Sequence, residues 1–139
     1  MGKYMSTTRL VDLFKRNELK VHGSVLLLTL AAASGNVVAA DCSWAGGSNN
    51  WLTANWNGCL GGSPDSNDTA IISTGTVTLN DAVTVESYAQ NNGALTGTGT
   101  LSVSGLTTFS GGTMLGTGIT RAEGGLLLNG GIKDIQGER

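Results

Sequence analysis

The stretch L95-T-G-T-G-T-L-S-V-S-G-L-T-T-F-S-G-G-T-M-L-G-T-G118 decides the fold. A hydrophobic residue, a spacer and G-T-G occur in it twice, nineteen positions apart. Laying G99-T-L-S-V-S-G-L-T-T-F-S-G-G-T-M114 over G118-I-T-R-A-E-G-G-L-L-L-N-G-G-I-K133 matches Gly99 with Gly118, Gly105 with Gly124, Gly111 with Gly130 and Gly112 with Gly131. With one adjustment near Asn92, V83-T-V-E-S-Y falls on L101-S-V-S-G-L, and L95-T-G-T-G falls on M114-L-G-T-G.

A period near twenty residues, built of short alternating runs and glycine corners, is what a β-solenoid requires. One coil cannot bury its own apolar face and must stack on the next, about 4.8 Å away. The glycines then mark corners where a Cβ would clash or where φ must be positive. This reading predicts an all-β fold, a right-handed parallel β-helix with coils of about nineteen residues. Inward positions are expected at Val83, Val85, Leu101, Val103, Leu106 and Phe109, with the alternating Thr and Ser facing out. A small β-sandwich also has short strands at close spacing, but it has no need of a glycine pattern that recurs once per unit.

Working outward, the strand-like runs T69-A-I-I, T76-V-T-L, A82-V-T-V-E-S-Y, L101-S-V-S, L106-T-T-F and G125-L-L-L are bounded by Gly, Asn, Asp or Ser. They assign 69–139 to solenoid coils, expected to be incomplete at the C-terminus. The block before them, 41–68, holds Trp44, Trp51, Trp56, Cys42 and Cys59 among turn-favouring Gly, Asn and Ser. It reads as an N-terminal cap in which the indoles pack over the end of the β-structure. Exposed together, the same three tryptophans would form a stacking platform for carbohydrate. The cysteines, seventeen apart, are expected to form a disulfide.

The first forty residues differ from the rest. Lys3, Arg9, Lys15, Arg16 and Lys20 precede an apolar run from Val25 to Ala33, followed by small residues up to Ala40. This is the pattern of a secretory signal peptide over 1–40, with cleavage expected between Ala40 and Asp41. A membrane-spanning helix is the poorer reading, because nine residues rise only about 14 Å against a hydrocarbon core of roughly 30 Å. The chain is therefore expected outside the cytoplasm, secreted or on the cell surface.

From Asp41 onward there are three basic and eight acidic residues, a net charge of −5. That balance disfavours nucleic acid and anionic membrane surfaces, which need clustered Lys and Arg. The only histidine, His22, lies in the leader, so the usual nucleophile–base arrangements and a Cys/His metal site lack a member. Asp65 and Asp68 stand three apart in a turn-rich loop, where Asx capping is the simplest role. With Asn67 they also offer hard oxygen donors, though at neither an EF-hand nor a nonapeptide calcium spacing. Neither G-T-G completes a G-x-G-x-x-G phosphate loop. No catalytic, cofactor-binding or metal-binding residue is assigned.

The segment W51-L-T-A-N-W-N-G-C-L-G-G-S-P-D-S-N-D-T-A-I-I resembles a module of large bacterial secreted proteins, in which G-x-x-x-N-W, a Pro and D-T-A-x-I open a run of Gly- and Thr-rich coils. Those proteins are similar to autotransporter passengers and other adhesin-like parallel β-helices. The resemblance runs from about Trp44 to Ile132 and implies export and a structural or adhesive role. Partners would be cell-surface glycans or proteins, and an unpaired final β-edge would invite self-association. A polysaccharide-degrading β-helix is the remaining enzymatic alternative.

Overall fold

The structure, a computed structural model, describes residues 38–137. Residues 1–37, most of the expected signal peptide at 1–40, lie outside the described residues, as do residues 138 and 139. Fourteen strands and no helix occupy the described chain. A first turn contains β1 (Asp41–Trp44), β2 (Ser48–Asn50) and the short β3 (Trp56–Asn57). Three coils of three strands follow. They are β4 (Thr69–Ile72), β5 (Thr76–Thr78) and β6 (Ala82–Val85); β7 (Ser87–Gln90), β8 (Ala94–Thr96) and β9 (Thr100–Val103); and β10 (Thr107–Phe109), β11 (Gly112–Met114) and β12 (Ile119–Ala122). A final partial coil adds β13 (Leu126–Leu128) and β14 (Lys133–Ile135).

Corresponding strands of successive coils pair in parallel, which makes the protein a β-solenoid with three sheets along its length. One sheet runs β1-β4-β7-β10-β13, with β3 added antiparallel outside β1; a second runs β2-β5-β8-β11-β14; the third is β6-β9-β12. The period-2 alternation of each strand sends one set of side chains to a shared interior. Val77 and Leu95 stack in the second sheet, and Val85 and Val103 in the third, all fully buried.

The corners explain the glycine pattern. Gly97 and Gly116 have φ of 113° and 88°, a left-handed region that other residues rarely adopt. A Cβ on Gly97 would lie 2.1 Å from the Leu79 carbonyl oxygen, and one on Gly116 would lie 2.4 Å from that of Gly97. Each G-T-G therefore turns the chain from the second sheet to the third while the coil below presses against it.

The register corrects three details of the sequence reading. Thr69 pairs with Ser87, a step of eighteen, whereas Tyr88 pairs with Thr107, a step of nineteen. The extra residue enters at 104–106 rather than opposite Asn92, because Val85 faces Val103 while Tyr88 faces Thr107 and not Leu106. A one-residue shift exchanges the two faces of a strand. Leu106, expected inside, is accordingly 48% exposed, and Thr107, expected outside, is buried; Val83 is only partly covered. In the last coil Gly112 faces Lys133, a step of twenty-one, so Gly112 does not stack on Gly131. Two extra residues between β13 and β14 absorb the difference.

The interior also holds one polar network. The Tyr88 hydroxyl donates to Gln90 Oε1 at 2.8 Å, and Gln90 Nε2 donates to the carbonyls of Thr113 (3.0 Å) and Gly93 (3.2 Å). Gln90 is fully buried and makes these bonds across the first and second sheets. A satisfied amide of this kind favours one register over its neighbours.

Candidate functional site

The two ends of the stack carry its most distinctive chemistry. At the N-terminal end the first turn is enlarged: Asp41 pairs with Thr69 and Ser48 with Thr76, steps of twenty-eight instead of eighteen. The additional chain holds β3, which folds back on β1 with Trp44 opposite Trp56 and Ser43 opposite Asn57. The disulfide Cys42–Cys59 ties the return to β1, with its Cα atoms 4.9 Å apart.

The three tryptophans are packed rather than displayed. Trp51 is fully buried, and Trp44 and Trp56 are 5% and 6% exposed. Trp56 lies at the centre of the group, with ring centroids 5.0 Å from Trp44 and 4.8 Å from Trp51, the first pair edge to face. Trp51 continues the contact to Tyr88 of β7, at 6.5 Å. The Trp56 indole N–H donates to the Trp51 carbonyl at 2.8 Å. No indole face of this cluster is open to a sugar ring in this arrangement.

Asp68 closes the cap. Its carboxylate is 5% exposed and accepts the main-chain N–H of Ala40 on Oδ1 (2.9 Å) and of Asp65 on Oδ2 (3.0 Å). Asp65 Oδ1 in turn accepts the Asn67 main-chain N–H at 2.8 Å. Asp65 thus makes the Asx-type bond that the spacing suggested, whereas Asp68 reaches back to main-chain N–H groups that precede it, one of them twenty-eight residues away. Cys42, Cys59 and Asp68 bring potential ligand atoms within 4.8 Å of one another. The sulfurs, however, are bonded to each other and offer no thiolate.

The opposite end is open. Thr107, Phe109, Met114, Thr120, Ala122, Leu126, Leu128 and Ile135 surround a mostly apolar hollow of about 200 Å³. In the coils beneath, the same columns are sealed; here Leu126 and Leu128 are each 56% exposed, and Leu127, Ile132 and Ile135 are exposed too. Strands β12, β13 and β14 each form the outer edge of their sheet. Sequence reading did not anticipate the hollow, which depends on how the last three described strands converge.

Between the ends, the third sheet presents a mixture of small, hydroxyl, apolar and basic side chains. Across it run the rows Ala82–Thr100–Ile119 and Thr84–Ser102–Arg121. No family model, curated protein or solved structure matches the chain, so the functional reading rests on this geometry.

Proposed function

We propose that this chain is an exported, non-enzymatic β-solenoid segment with a structural or adhesive role, similar to the adhesin-like passengers of bacterial secreted proteins. The observation that carries the reading is a stack of parallel sheets closed at its N-terminal side by a disulfide-bonded, tryptophan-filled turn. A stack of this kind extends by adding strands to its free edges, and it sets hydroxyl pairs such as Thr78–Thr96 and Thr84–Ser102 in register on its surface. The disulfide supports an oxidising compartment. The commitment of Asp65 and Asp68 to main-chain N–H groups supports a loop-holding role over acid–base chemistry.

Expression of the full chain in a bacterium with an intact secretion system tests the proposal. We expect oxidised protein outside the cytoplasm, retention on glycan- or protein-coated surfaces above that of a control β-protein, and no products from a polysaccharide panel. Cytoplasmic retention would overturn the export reading. Release of reducing or unsaturated ends would overturn the non-enzymatic one.

A further inference from the structure

Two adjacent peptide bonds satisfy the small-residue rule for leader cleavage equally well. Cutting after Ala40 places Ala40 and Val38 at the last and third-last positions; cutting after Ala39 places Ala39 and Val37 there. The sequence reading placed the cut after Ala40, but the fold uses one of the two alanines and not the other. Val38 is 64% exposed and Ala39 is exposed, whereas Ala40 is partly buried and packs against the core. The Ala40 N–H donates to Asp68 Oδ1 at 2.9 Å, and its carbonyl accepts the Thr69 N–H at 2.9 Å.

We infer that the mature protein begins at Ala40, released by hydrolysis of the Ala39–Ala40 bond, and that its new α-ammonium pairs with the Asp68 carboxylate. The inference rests on the export reading and refines its processing site. In the hydrolysis, water's oxygen completes the carboxylate of Ala39, and the amide nitrogen of Ala40 becomes a protonated amine. That nitrogen already stands at hydrogen-bonding distance from Oδ1. Cleavage therefore turns a neutral donor into a charged one without moving it, and charge-assisted bonds are the stronger class. Among the described residues Asp68 has no cationic side chain as partner, although it is nine-tenths buried. The ammonium would supply that missing positive charge.

Cleavage one residue later would remove both Ala40 bonds. The Thr69 N–H would lose its acceptor at the start of β4, and Asp68 Oδ1 would lose its donor at the edge of the cap. Buried polar groups left without partners are costly. Among the described residues, main-chain bonding to the fold thus begins at Ala40, after the exposed Val38 and Ala39.

N-terminal sequencing and intact mass of the exported protein test the inference directly. Ala-Asp-Cys at the start is the expected result. Asp-Cys-Ser, or an uncut exported chain, would overturn the inference while leaving export intact, whereas failure to find the chain outside the cytoplasm would overturn the export reading itself. A second measurement compares a chain beginning at Ala40 with one carrying an added glycine before it, in the wild-type and Asp68→Asn backgrounds. The extension should lower the urea midpoint in the wild type and have little effect in Asp68→Asn. Equal midpoints in the wild-type pair would show that the ammonium makes no use of Asp68.

Discussion

The first turn and the last coil end the same stack in opposite ways. At the first turn, ten additional residues, a two-residue antiparallel strand, a disulfide and three interlocked indoles cover the interior. At the last coil, three strands leave their edges free around a hollow lined by Phe109, Met114, Leu126 and Leu128. The repeat supplies the same interior columns to both ends. The difference shows that the cap is a separate device, built on a disulfide and indoles that the described coils do not use.

The largest effect should come from removing the most deeply buried indole of the cap. Trp51→Ala deletes a fully buried indole that links Trp56 to Tyr88, and truncations of this size typically cost about 3–5 kcal/mol. Urea unfolding should show that loss, and near-ultraviolet circular dichroism should show the collapse of the coupled tryptophan signal. An unchanged midpoint would mean that the coils do not depend on the cap.

The double substitution Cys42→Ser with Cys59→Ser should come next. Chain-entropy arguments assign roughly 3 kcal/mol to a closed loop of about this length. Because β3 is only two residues long, the antiparallel return should loosen before the coils do. Hydrogen exchange should then rise first at the main-chain groups of 41–59 and leave Val77, Leu95 and Val103 protected. Uniform loss of protection would show that cap and coils unfold as one unit.

A third, smaller effect separates stacked corners from terminal ones. Gly116→Ala faces both a φ of 88° and a Cβ 2.4 Å from the Gly97 carbonyl oxygen, whereas Gly125→Ala faces a φ of 122° with no atom nearer than 4.0 Å. Left-handed strain alone costs of order 1–3 kcal/mol. Both variants should be less stable in urea, Gly116→Ala by the larger amount. Equal losses would mean that the coils tolerate a corner side chain by shifting apart.

Legibility from sequence followed the physics of each feature. The coil period and the all-β class could be read because the corner glycines are demanded by backbone geometry, and such demands leave residues at fixed spacing. The exact register could not. Whether Leu106 or Thr107 points inward depends on one residue at 104–106, and a period-2 structure turns that single residue into a complete change of face. The disulfide and the packing of the indoles over the end of the stack followed from two cysteines and three tryptophans in one block, while the β3–β1 pairing that arranges them is a contact between two-residue segments that leaves almost no pattern. The role of Ala40 was hidden for a similar reason, since its bonds are made by the main chain.

The smallest change in stability should accompany the largest change in association. Leu127 is 43% exposed on β13, the free edge of the first sheet, and its side chain lies on the outer face, in register with Thr108. Replacing it with lysine removes little packing, so stability should stay within about 0.5 kcal/mol of the wild type, as for most surface substitutions. A lysine on a free edge opposes strand addition, both by its charge and by the water it holds. Sedimentation velocity of the mature protein should therefore show concentration-dependent self-association that Leu127→Lys reduces, while a lysine at Leu52, exposed on the capped first turn, leaves it unchanged. If both variants associate like the wild type, the open coil is not the adhesive end, and the contrast between the two ends would be one of stability alone.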